Sequence, residues 1–104
     1  MPDFLVFIEP EAEANIGATY NWIAERSPAG AERWYRAFGR AIERLRADPE
    51  RFPVAAESHR FDVVIRNLTF RMHSRRTYRI LFTIAQDRVH ILYVRGPGRD
   101  WLTP

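Results

Sequence analysis

The sequence predicts an α+β fold: a helical hairpin packed on one face of a largely antiparallel four-stranded sheet, in the order β-α-α-β-β-β. Three observations predict it. Apolar residues recur at three- and four-residue spacing from Ala12 to Leu45. Ser27-Pro28 breaks that run once, with Ser able to cap a helix and Pro able to open one. After the loop DPERFPVAAESHR the period falls to two.

Taken in order, Phe4 to Ile8 is a short apolar strand. Glu9-Pro10 opens a first helix, and Ala12, Ile16, Tyr20 and Ile23 carry it to about Arg26. The second helix places Ala31, Trp34, Tyr35, Phe38, Ile42 and Leu45 on one stripe and stops at Asp48-Pro49. Its opposite face holds Arg33, Arg36, Arg40 and Arg44, flanked by Glu32 and Glu43, which is the pattern of a solvated face. Gly17 and Gly39 lie equally far from Pro28, so a close approach of the two helices is expected at their level. Asp62 to His73, Thr77 to Ala85 and Arg88 to Arg95 read as the remaining strands. Gln86-Asp87 serves as a two-residue turn and Ser74 to Arg76 as a three-residue one.

Turn length sets register. The second turn would pair Ile84 with Val89, Phe82 with Ile91 and Ile80 with Tyr93. The first would pair Met72 with Tyr78, Phe70 with Ile80 and Leu68 with Phe82. Together these make one apolar floor for the helices. The outer face then carries Leu81, Leu92, Val94, His73 and His90, with Arg71 directly across from Arg79. Like charges so opposed repel. Solvent could relieve them, or an anion could. Arg75, Arg76, Arg95 and Arg99 would gather at the same end. A half-apolar, half-basic outer face suits a surface that a partner, a loop or Trp101 covers.

Composition bounds the rest. A chain of 104 residues fits one domain, 1–104, and 46% hydrophobic residues can supply its core. No apolar run approaches the length of a bilayer span. The start, MPDFLVFIEP, has acids at Asp3 and Glu9 and no basic leader, so a cytoplasmic protein is expected. The absence of cysteine excludes a disulfide framework and thiolate metal sites. No metal and no cofactor is expected. Net charge is +3, and all 16 basic residues are Arg. That suits a phosphate- or carboxylate-bearing partner, but composition alone favours the plainer reading, a coding bias toward Arg codons.

The stretches EPEAEANIGATYNWIAERSP, AIERLRADPERFP, TYRILFTIAQDRVHILYVRG and RGPGRDW, in this order of elements, resemble the RelE/ParE superfamily of bacterial type II toxin–antitoxin toxins, closest to the ParE-like or plasmid-stabilisation branch. The resemblance covers nearly the whole chain. It implies a cognate antitoxin partner, possible in a higher-order toxin–antitoxin assembly, and one of two activities. ParE-like members resemble inhibitors of DNA gyrase. RelE-like members resemble ribosome-dependent mRNA endoribonucleases, which use basic residues and an acid/base group. A third reading is a non-toxic module that keeps the fold and binds antitoxin.

By the resemblance, Arg79 matches an arginine of the nuclease branch and Arg99 is a looser match. The strand-two lysines have no counterpart, since Phe70 and Met72 fall there, and no tail Tyr or His follows Trp101. Were the chain a nuclease, Arg79, Arg71 and Arg99 could stabilise phosphorane charge, and His73 or His90 could move a proton. The target- or antitoxin-binding candidates are Arg71, Arg75, Arg76, Arg79, Leu81, Leu92, Arg95, Arg99 and Trp101. Arg79→Ala is expected from sequence to leave stability within about 0.5 kcal/mol or to raise it, by relieving repulsion.

Overall fold

A computed structural model describes residues 3–72 and 75–97. Four strands, β1 (Leu5–Ile8), β2 (Arg66–Arg71), β3 (Thr77–Ala85) and β4 (Arg88–Arg95), form one sheet in the order β1-β4-β3-β2. β1 runs parallel to β4, and the other neighbours are antiparallel. Two helices, α1 (Pro10–Ala24) and α2 (Pro28–Ala47), connect β1 to two 3-10 turns, Pro49–Arg51 and Ala56–Arg60, which lead into β2. The mixed α+β sheet in the order β-α-α-β-β-β is the architecture the sequence predicts.

Local chemistry accounts for both helices. Pro10 occupies the first turn of α1, where its missing N–H is no loss, and Glu11 and Glu13 sit beside the positive end of the helix dipole. The Ser27 hydroxyl accepts the Gly30 N–H at 2.9 Å and so restarts the chain as α2. The buried stripe of α2 is Ala31, Trp34, Phe38, Ala41 and Leu45. Tyr35 leaves that stripe. It stays exposed and meets Tyr20 of α1 edge-on at 6.1 Å. Gly17 and Gly39 do not mark a close approach, because a methyl group at either would have nothing within 4 Å. The helices pack through larger side chains and leave both glycines on exposed surface.

The core lies between α2 and the sheet. Trp34 stacks on Phe38 at 5.7 Å and meets Tyr78 edge-on at 5.7 Å, while Phe70 stacks on Tyr78 at 5.6 Å. Leu68, Ile80, Phe82, Val89, Ile91 and Val94 complete the floor. Where β4 ends, a Cβ on Gly96 would stand 2.9 Å from the Tyr78 ring, so only glycine passes there without displacing it.

Three further expectations, all about the sheet, are corrected. First, the β3–β4 register begins as predicted, with Ile84 opposite Val89 and Phe82 opposite Ile91, but a bulge at Leu81/Phe82 then pairs Leu81 with Tyr93 and Ile80 with Val94. The extra residue on β4 inverts the alternation. Val94 therefore enters the helix-side core, and Tyr93 joins Leu81 and Leu92 on the outer face.

Second, β2 pairs with β3 two residues away from the expected register. Arg71 stands opposite Thr77, and Arg79 opposite Thr69. The connection is longer, closed by Met72 N–H to the Arg76 carbonyl and Arg75 N–H to the Met72 carbonyl, each 2.8 Å. Because the shift is even, every β2 side chain keeps its face. The Arg71–Arg79 opposition is lost. Arg79 faces another arginine instead, Arg95 on β4.

Third, Asp62 to Ile65 is not strand. Its backbone is bound by the loop before it: Ile65 N–H donates to the Ser58 hydroxyl and Ala55 N–H to the Ile65 carbonyl, both at 2.8 Å. The Thr83 hydroxyl on β3 donates to the Val64 carbonyl at 2.8 Å. This fold-back lays Ala55, Phe61 and Ile65 over Leu81, which is fully buried. A loop, not solvent, covers that part of the outer face.

Candidate functional site

The fold-back also carries Glu57 onto the outer face of β3. Glu57 is completely buried, and Arg79 reaches it with both terminal nitrogens, Nη2 to Oε1 at 2.7 Å and Nη1 to Oε2 at 3.1 Å. The Arg79 Nε donates to Asn67 Oδ1 on β2 at 3.2 Å. This is the planar two-pronged geometry that makes Arg–carboxylate pairs strong. An anion does stand at Arg79, and it is the protein's own carboxylate.

The remaining candidates divide between two sides of the molecule. Arg95 donates to Asn15 Oδ1 of α1 at 3.1 Å and lies over the Tyr93 ring at 5.1 Å. Arg76 turns toward the helices, 5.1 Å from the centre of the Trp22 ring. Arg71 borders the arginines of α2. Arg75 is exposed in the connection, with a left-handed φ of 68°. Leu81 is buried and Leu92 half-buried. His90 Nδ1 lies 3.2 Å from Glu9 Oε2, and the ring stacks on Phe7 of β1 at 5.4 Å. Its cross-strand partner is Thr83, four residues along β3 from Arg79, or about 13 Å. His73, Arg99 and Trp101 lie outside the described residues.

Sequence reasoning missed Glu57, Asn67, Trp22 and Arg26. Nothing local marks Glu57, a glutamate in a polar loop. Trp22 carried a signal, since it falls off the apolar stripe of α1 yet is a large aromatic. Arg26 lies over its ring at 3.8 Å and donates to its carbonyl at 2.7 Å.

Burial pushes the Tyr78 hydroxyl above its ordinary value of 10.0, and neighbouring Arg76 partly opposes the shift. A raised pKa means that the unfolded chain ionises first. Tyr78 therefore supports folding fully below pH 10 and loses that support as pH climbs past it. Melting temperature measured from pH 8 to 11 should fall less steeply in Tyr78→Phe than in the parent chain. Equal slopes would place the tyrosine outside the alkaline transition.

Among the described residues no cluster of His, Cys, Asp and Glu could hold a metal ion, and no helix is long and apolar enough to cross a membrane. A helical hairpin on a β1-β4-β3-β2 sheet, with an arginine-rich last hairpin, defines a toxin-like domain of the RelE/ParE superfamily. The chain belongs to the ParE toxin family: the family model for the ParE toxin of the type II toxin–antitoxin system parDE matches residues 6–101. No curated protein matches the chain.

Proposed function

We propose that this toxin inhibits DNA gyrase in the bacterial cytoplasm, as part of a plasmid-stabilising module, and that a cognate antitoxin neutralises it. Family membership supports the reading. The observation that carries it against mRNA cleavage is the state of Arg79. A nuclease needs a cation free to meet phosphorane charge and a proton-transfer group within hydrogen-bond reach. Arg79 is committed to Glu57 and Asn67. His90 is engaged with Glu9 at the other end of the sheet. His59 is exposed and bonds the Ala56 carbonyl of its own turn at 3.0 Å.

The antitoxin would meet exposed apolar surface on β1, where Leu5, Phe7 and Ile8 are each about half exposed. The sheet edge there offers unpaired backbone as well.

Induction of the toxin in cells, with and without the neighbouring reading frame, tests the proposal. Expected are growth arrest, a DNA-damage response and intact bulk mRNA, all reversed by the co-expressed neighbour. Cuts within translated messages without a damage response would overturn the gyrase reading in favour of RNA cleavage. No arrest at all would leave a non-toxic antitoxin-binding module.

A further inference from the structure

Two adjacent depressions on the helix side of the molecule make up an arginine-lined trough. The first, about 250 Å³, lies between the α1–α2 turn and the β2–β3 connection, where Arg26, Arg33 and Arg76 surround it. The second, about 290 Å³, continues along α2 past Arg36 and Arg40 to Arg71. Arg33 and Met72 border both, so the two depressions are neighbours along α2.

No acidic side chain among the described residues lines either depression. Arg46–Glu43, Arg79–Glu57, Arg88–Asp87 and His90–Glu9 pair among the described residues, and these pairs leave out the trough arginines. Six cations in one groove repel each other, a cost that an ordinary solvated face avoids by mixing signs. On α2 the trough arginines follow one another by about 4.5 and 6 Å of helix rise. At one end stands Trp22, 44% exposed, with Arg26 over its ring at 3.8 Å.

We propose that this trough binds a single strand of nucleic acid through its phosphodiester backbone, with a base stacking on the Trp22–Arg26 pair. A row of guanidinium groups matches successive phosphates, and Arg binds them two-pronged where Lys cannot. The indole and guanidinium planes accept any base face, as in strand-binding proteins that ignore sequence. Concavity favours a strand over a duplex, because a duplex receives protein ridges into its own grooves. The stacking platform favours a strand over an acidic peptide. The proposal does not rest on the gyrase reading, and the surface lies on the opposite side of the sheet from Arg79.

The experiment is fluorescence anisotropy of a labelled 20-mer of deoxythymidylate with the full chain. Binding should weaken roughly 50–300-fold between 50 and 200 mM salt, as expected when about four to six phosphates are neutralised. Arg36→Gln/Arg40→Gln should bind at least about tenfold more weakly, with a salt slope shallower by about 1.4. Trp22→Ala should weaken binding without changing the slope. Arg88→Gln, remote from the trough, should bind like the parent, which separates a site from net charge. Circular dichroism melting should show all of these variants folded. The proposal is overturned by salt-insensitive or absent binding, by an unaffected double variant, or by equal loss in Arg88→Gln. Tighter binding of a 20-base-pair duplex would overturn it too. Competition by polyglutamate as effective as by unlabelled strand would assign the trough to an acidic protein segment instead.

Discussion

Arg79→Ala is expected to destabilise the fold by roughly 3–5 kcal/mol, the cost of stripping one partner from a buried ion pair. For a chain of this size that is a fall in melting temperature of roughly 12–20 °C. The sequence expectation had the opposite sign, because it set Arg79 against Arg71 and counted only repulsion. In the structure Arg79 is 15% exposed and Glu57 not at all, so the deleted guanidinium would leave a carboxylate in a dry site. Glu57→Leu/Arg79→Met should recover stability to within about 1 kcal/mol of the parent, since apolar replacement of a whole buried pair is often neutral or better. Urea denaturation of the parent, Glu57→Leu, Arg79→Met and the double variant gives the coupling between them. A single variant that melts like the parent would show the pair to be idle.

The same four chains separate structure from function. A loss of toxicity in Arg79→Met alone says nothing, because an unfolded toxin is also inactive. The restored double variant is the informative one. If it folds and still arrests growth, Arg79 serves the fold and the gyrase reading gains support. If it folds and is harmless, the guanidinium acts on a target as well.

The helices were legible in the sequence because their signals are local. Pro10, Ser27-Pro28 and Asp48-Pro49 punctuate the chain, and the stripe from Ala31 to Leu45 gives the buried face directly. The β3–β4 turn was legible for the same reason. What failed depended on contacts distant in sequence. A shift of two residues between β2 and β3 keeps every side chain on its face, so hydrophobic pattern cannot tell the two registers apart. The bulge falls within ILYV, where adjacent apolar residues fit either face and no glycine advertises a kink. Asp62 to Ile65 has strand composition, and only the Ser58 and Thr83 hydroxyls reveal that its backbone is spent elsewhere.

The candidate site was less legible than the fold. Arginine content alone favoured a coding bias over an anion site, and only the predicted strand register gathered the arginines into a candidate site. The structure divides that cluster. Arg79 and Arg95 remain near each other on β3 and β4, while Arg71 and Arg76 join the helix face that sequence pattern assigned to solvent. The reason is geometric. Arg71 ends an edge strand and Arg76 lies just before β3, so their long side chains can pass around the sheet, whichever face their Cβ atoms take.

Trp34 offers the second large effect, and one with two parts. Its side chain is fully buried against Phe38, Phe70 and Tyr78, so Trp34→Ala should cost roughly 3–5 kcal/mol and loosen the contact between α2 and the sheet. Its indole N–H, however, is buried with no acceptor among the described residues. An unpaired buried donor costs about 1–3 kcal/mol by itself. Trp34→Phe removes that donor and keeps most of the stacking plane. The lost area and the removed penalty then oppose each other, and the net cost should stay below about 1.5 kcal/mol. Chemical denaturation of the two variants distinguishes packing from polarity. A Phe variant nearly as unstable as the Ala variant would mean that the indole nitrogen has a partner in solution, and that this partner helps to hold α2 against β3.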